Sequence, residues 1–142
     1  WKQLDYAARI AETPDELGAI VECLRDAGAD LLHCSTRRYW EPGFAGSELC
    51  LSAWARRLAG IPTIAVGSVT LGNDFKSATG KQAAAAAPEQ IADIERRMAS
   101  GDFDLIAIGR ALLANPDWPA LVQAGRGPSL RPFSKAHLDA LQ

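Results

Sequence analysis

The chain reads as an α/β protein built on a parallel sheet, on three observations. Its 142 residues are 48% hydrophobic, enough for one domain with a core of its own. Short apolar runs alternate with stretches whose apolar residues recur at helical spacing. Those short runs are apolar on both faces, the mark of strands covered by helices on either side. Pattern alone leaves open whether the sheet closes into a barrel or stays open.

The first helix is announced by Thr13-Pro14-Asp15-Glu16. A hydroxyl stands before a proline suited to the first helical position, and Glu16 completes a capping box. Leu17, Ile20, Val21 and Leu24 then form one apolar stripe, and Gly28 supplies the stop. Residues 30–35 (Asp-Leu-Leu-His-Cys-Ser) read as a buried strand. A loop rich in aromatics and glycine follows, from Arg37 to Gly46. Ser47 is positioned to cap a second helix that carries Leu51, Trp54 and Leu58 and ends at Gly60. Residues 62–66 form the second β-rich run, ending in Gly67-Ser68.

Residues 70–87, with Gly72, Gly80 and five consecutive alanines, are the loosest stretch and show no chemistry. Pro88 opens a third helix bearing Ile91, Ile94 and Met98, closed by Gly101. Residues 103–108 are the third apolar strand, ending in Gly109-Arg110. Asn115-Pro116-Asp117 caps a last helix that runs to about Gly125.

Composition narrows the function. With 15 basic and 17 acidic residues the net charge is −2, which provides no footprint for nucleic acid or an anionic membrane. No apolar run approaches the roughly 20 residues that span a bilayer, and the N-terminus lacks a signal-peptide pattern. The three cysteines, Cys23, Cys34 and Cys50, form no CxxC pair; they suit a reducing compartment and read as small core residues of a soluble, cytoplasmic protein. His33 and Cys34 are neighbours in a strand and face opposite ways, so they do not share a metal.

The candidate chemistry lies where strands end. Gly67-Ser68 and Gly109-Arg110 fall at the C-terminal edge of the sheet, where ligands of parallel α/β proteins bind. Glycine there lets backbone N–H groups approach phosphate oxygens, a short helix adds a favourable dipole, and Arg110 adds a charge-assisted bond. Equally, the glycines serve as tight-turn residues and Arg110 as a solvated charge. Arg37, Arg38, Tyr39, Trp40 and Phe44 share this edge, where they wall a planar ligand or pack on one another; packing is favoured for Trp40 and Phe44. Trp54, Phe103 and Trp118 are expected in the core. His137 has no acidic or nucleophilic partner nearby and receives no role.

Three stretches carry a likeness to a known family: residues 33–42 (His-Cys-Ser-Thr-Arg-Arg-Tyr-Trp-Glu-Pro), 65–69 (Ala-Val-Gly-Ser-Val) and 107–118 (Ala-Ile-Gly-Arg-Ala-Leu-Leu-Ala-Asn-Pro-Asp-Trp). In that order they resemble the old yellow enzyme family of NAD(P)H-dependent flavin oxidoreductases, and the third is the most specific. The resemblance spans essentially the whole chain, 1–142. It implies the C-terminal half of a (β/α)8 TIM barrel, strands six to eight with their helices. It implies FMN as cofactor, NAD(P)H as hydride donor, and ene-reductase chemistry on activated C=C bonds of enone-type substrates.

Matched motif to motif, the resemblance makes Gly67, Ser68, Gly109 and Arg110 the holders of the FMN phosphate, and sets Phe133 near the dimethylbenzene edge of the flavin. It also implies that strands one to five, with the substrate-binding and proton-donating residues, lie outside these 142 residues. The chain alone is then inactive, none of its residues is catalytic, and it needs the other half-barrel or a second copy of itself, since a full barrel takes about 250 residues. The competing expectations are a catalytically silent half-barrel that self-associates and, last, another phosphate-binding barrel such as an isomerase or aldolase.

Overall fold

Local capping sets the first element. In a computed structural model that describes residues 1–2, 5–70 and 87–139, helix α1 spans Pro14–Asp26. The Thr13 hydroxyl accepts from the Glu16 amide at 3.2 Å, as a capping residue should. The Glu16 carboxylate reaches one residue further back than a capping box requires, accepting from the Glu12 amide at 2.7 Å. At the other end the Ala29 amide donates to the Leu24 carbonyl and the Gly28 amide to that of Arg25. This is a Schellman closure, and Gly28 adopts the positive φ of 99° that it demands.

The strands are β1 (Leu32–Ser35), β2 (Thr63–Val66) and β3 (Leu105–Ala107). They form a three-stranded sheet in the order β1-β2-β3, with both pairings parallel. Leu32 to Ser35 run opposite Thr63 to Val66, and Ile64, Ala65 and Val66 opposite Leu105, Ile106 and Ala107. The protein is therefore mixed α/β with parallel strands. Each strand is shorter than its sequence pattern predicts. The expectation of strands buried on both faces holds only in part: Leu32 and Cys34 are buried while His33 is exposed, and Leu105 is 51% exposed.

Helix α2 spans Leu51–Ala59 and ends at Gly60. Its start departs from expectation: Cys50 holds the cap position without a side-chain bond, and Ser47 accepts from the Leu49 amide instead. The chain between them is drawn extended by the Pro42–Cys50 bridge and by the bond from the Gly43 amide to the Leu49 carbonyl, which postpones the first turn. Helix α3 spans Ala87–Ala99, and α4 (Arg110–Ala114), α5 (Trp118–Gln123) and α6 (Ala136–Asp139) are short. A 3-10 turn at Gly127–Ser129 follows α5. The loose stretch anticipated from residue 70 falls almost wholly outside the described residues.

Contacts divide the chain into two compact units, residues 1–67 with 96–107, and residues 68–95 with 108–142. The first holds the whole sheet. Its core joins Leu17 and Val21 of α1 to Leu32 and Cys34 of β1 and to Leu51, Ala55 and Ala59 of α2, with Phe44 closing one side. The stripe expected on α1 is split: Leu17, Gly18 and Val21 turn inward, with Gly18 facing Leu58 of α2, while Ile20 and Leu24 are exposed. Of the cysteines, Cys34 and Cys50 are buried as expected; Cys23, on the outward side of α1, is exposed. In the second unit, Ile94, Ala111, Ala114, Asn115 and Trp118 are buried, and Gly127 lies against Ile91.

A polar clamp ties helix to sheet in the first unit. The Asp104 carboxylate accepts from Arg56 Nε and from the Thr63 amide, both at 2.9 Å, while the Asp104 amide donates to the Thr63 carbonyl. These bonds, the Arg56 guanidinium first and the Thr63 amide second, hold the Asp104 carboxyl below its ordinary 3.8. Among the described residues no helix is long and apolar enough to cross a membrane.

Candidate functional site

The parallel register brings the C-terminal ends of all three strands to one edge of the sheet. At the end of β1, Thr36 donates through its hydroxyl to the Val66 carbonyl at 2.6 Å, and its amide reaches the same oxygen at 3.3 Å. The end of β1 is thereby fastened to the end of β2. Gly67 follows with φ 142°, and a Cβ there would stand 2.8 Å from the carbonyls of Thr36 and Arg37. Backbone cannot withdraw as a flexible side chain can, so only glycine fits this position.

Ser68 and Thr70 come next with φ of 53° and 51°. Left-handed backbone is unusual outside glycine and a genuine outlier for a β-branched residue, and strain of this kind gathers at functional sites. The Thr70 amide is held by the Gln90 side chain at 2.6 Å.

Gly109 is the N-cap of α4, with no side-chain cap and open space where a Cβ would be. Neither its φ nor its surroundings require glycine. Arg110 begins α4, and its guanidinium lies 5.8 Å from the ring of Phe133, within the second unit. Two residues distant in sequence are thus brought into cation–π contact. Of the five residues singled out from sequence, Gly67 belongs to the first unit and Ser68, Gly109, Arg110 and Phe133 to the second.

What sets Phe133 beside Arg110 is a residue that sequence reasoning assigned elsewhere. The stretch Asn115-Pro116-Asp117 was expected to cap the last helix; within it Asp117 holds the cap position, without a side-chain bond, and Asn115 has another part. The Asn115 side chain is buried. Its amide donates to the carbonyls of Ala111 (3.2 Å) and Arg131 (2.8 Å), and its Oδ1 accepts from the Arg131 amide at 2.8 Å. The segment leading to Phe133 is therefore clipped to the end of α4. The cue available in sequence was the Asn-Pro pair: proline next to a helix end frees the asparagine side chain for a tertiary partner.

The aromatic loop after β1 packs, as favoured for Trp40 and Phe44. Phe44 makes edge contacts with Trp1 and Trp54 at 5.4 and 5.6 Å, and Trp40 with the buried Tyr39 at 4.9 Å. Tyr39 also meets Phe103 at 6.1 Å. Burial, with Cys50 adding to it, pushes the Cys34 thiol up to about 12, so Cys34 is no nucleophile. Among the described residues no group of three His, Cys, Asp or Glu side chains is placed to hold a metal ion.

The fold defines the class: a mixed α/β protein with a small parallel three-stranded sheet. No protein-family profile matches the chain. Among curated proteins it is 28% identical over 127 residues to an NADH oxidase of Thermoanaerobacter brockii, a match covering 84% of this chain. The matched stretch is 17% of that relative's length, so the chain spans about a sixth of it.

Proposed function

We propose that this chain is the cofactor-anchoring part of a flavin-dependent oxidoreductase, the C-terminal half of a (β/α)8 barrel, in which Gly67, Ser68, Gly109 and Arg110 hold the phosphate of FMN and Phe133 lies toward its ring. The coarse class, an oxidoreductase, draws support from the likeness to an NADH oxidase. The observation that carries the finer reading is the structure of the strand ends. Within the second unit, the left-handed Ser68 and Thr70 and, separately, the open Gly109 before Arg110 are features that a backbone-lined anion site uses.

The residues present fit the group. Gly109 has open space where a Cβ would stand, and Arg110 brings a guanidinium with planar donors. Contact with Phe133 holds that guanidinium in place. Bound FMN would supply a hydride relay from NAD(P)H to an activated C=C bond of an enone-type acceptor. The chain's own part is anchoring and charge neutralisation.

Titrating the protein with FMN and following quenching of flavin fluorescence tests the reading. Arg110→Gln is expected to weaken binding about tenfold or more, the loss of a charge-assisted bond of roughly 1.5–3 kcal/mol. Absence of FMN binding, or an affinity indifferent to that substitution, would overturn it.

A second reading, a non-catalytic unit that pairs with a copy of itself, is favoured by one observation. Along α1 and the open edge of β1 runs an apolar groove of about 390 Å³, floored by Leu17, Val21 and Leu32 and rimmed by the exposed Ile10, Ile20, Leu24 and Leu31. Apolar surface next to a strand that, among the described residues, pairs on one side invites association.

A further inference from the structure

We propose that two copies of this chain join edge to edge through β1, antiparallel about a two-fold axis normal to the sheet, so that two three-stranded sheets become one and the two α1 helices lie side by side. The proposal rests on the second reading, self-pairing, and adds to it the surface, the symmetry and the bonds that hold the pair. Among the described residues β1 pairs with β2 alone. The Leu32 amide donates to the Pro62 carbonyl at 3.0 Å, and the Thr36 amide to that of Val66 at 3.3 Å. Alternate residues of a strand bond to opposite sides, so the amides and carbonyls of His33 and Ser35 turn away from β2. They form the docking row.

The groove beside β1 has two walls, and a second copy fits both. One wall is the strand edge, which calls for an extended backbone. The other is the side of α1 that bears the exposed Ile20 and Leu24, which calls for an apolar helix face. Another copy brings a β1 edge and an α1 stripe at the same spacing, whereas a lone strand or a lone helix covers one wall only. Rotation by half a turn about an axis normal to the sheet sets β1 antiparallel to β1 and keeps both α1 helices on one face, Ile20 and Leu24 of each toward the other. Charge agrees with this choice. None of the residues lining the groove is Asp, Glu, Lys or Arg, so two identical surfaces meet there without like charges opposite one another.

The strand also lacks the devices that keep an edge solitary. Such edges carry lysine, proline or a bulge. Residues 31–35 are Leu-Leu-His-Cys-Ser and pair with β2 in unbroken register from Leu32 to Ser35. The two polar side chains are occupied with each other, Ser35 Oγ lying 3.1 Å from His33 Nδ1. By alternation they stand on the face opposite the core residues Leu32 and Cys34. What β1 offers to its open side is therefore main chain, with both donors and acceptors, and a row of that kind is complementary to itself when reversed.

The test combines sedimentation velocity of the full chain with amide hydrogen exchange, each at low and high protein concentration. A monomer–dimer equilibrium that stops at two is expected, with the His33 and Ser35 amides exchanging more slowly in the dimer. His33→Pro removes an amide that β2 does not use. It is expected to keep the circular dichroism of the monomer while weakening the dimer about tenfold or more. Exchange in the wild type decides the question independently of how well that variant folds. A dimer in which these two amides exchange as fast as in the monomer, protection at Leu105 to Ala107 of β3 instead, or a dimer indifferent to His33→Pro overturns the edge pairing and leaves self-pairing standing. Growth beyond two copies overturns the two-fold arrangement, and a chain that stays monomeric overturns both the proposal and the reading beneath it.

Discussion

At the scale of single residues, the one with the widest reach is Asn115. It is 2% exposed and spends its whole side chain on three backbone partners, two of them on Arg131. Asn115→Ala leaves a buried void and releases the segment that carries Phe133. The expected outcome is a loss of roughly 1–3 kcal/mol in denaturant unfolding, together with weakened FMN binding although neither Arg110 nor Phe133 is touched. A variant of unchanged stability would show that the clip contributes nothing. Asparagine followed by proline is visible in sequence; that its partner lies 16 residues downstream is not, because a tertiary bond leaves no local periodicity. Cys23, Cys34 and Cys50 make the same point. Nothing in composition separates the exposed thiol from the two buried ones.

Elements were legible to the extent that their ends are decided locally. Thr13, Gly28, Gly60 and Gly101 mark helix boundaries because the bonds they make or permit lie within one turn. Ser47 misled because a longer-range bridge from Pro42 to Cys50 delays α2. Ile20 and Leu24 share their spacing with Leu17 and Val21, and only the position of α2 decides which of them turns inward. The clamp joining α2 to β2 and β3 yields a prediction in pH. The Asp104 carboxyl is held below its ordinary range in the folded protein by Arg56 and then by the Thr63 amide. Its contribution is therefore complete above the unfolded pKa and disappears as pH falls through the lower folded value. In thermal melts, wild type is expected to lose stability on acidification below about pH 4, and Asp104→Asn to start less stable at pH 7 with a flatter acid limb. Parallel acid limbs in the two proteins would place the acid sensitivity elsewhere.

For the molecule as a whole, the parallel sheet and its helices were readable in the alternation of patterns, and the open side of that sheet was not. β1 stands at an edge, with Leu31, Ile20 and the 47% exposed Leu24 beside it. The expected behaviour is concentration-dependent self-association, read by sedimentation velocity, and its suppression by Ile20→Lys together with Leu24→Lys. A monomer at all concentrations would remove the second reading of function. Of the candidate residues, the strand-end glycines and Arg110 stand out in sequence, but the contact between Arg110 and Phe133 needs the fold to bring the two together.

Gly67 gives the loop after β1 an unusual freedom. Its contact with Thr36 and Arg37 is made entirely through main-chain atoms. This main-chain anchor does not depend on the side chains at 37 and 38, although Thr36 adds a hydroxyl bond to Val66 and Arg37 and Arg38 lie over Tyr6 and Trp40. A lineage that kept this one glycine would be able to retune what the edge recognises by changing its neighbours, one codon at a time.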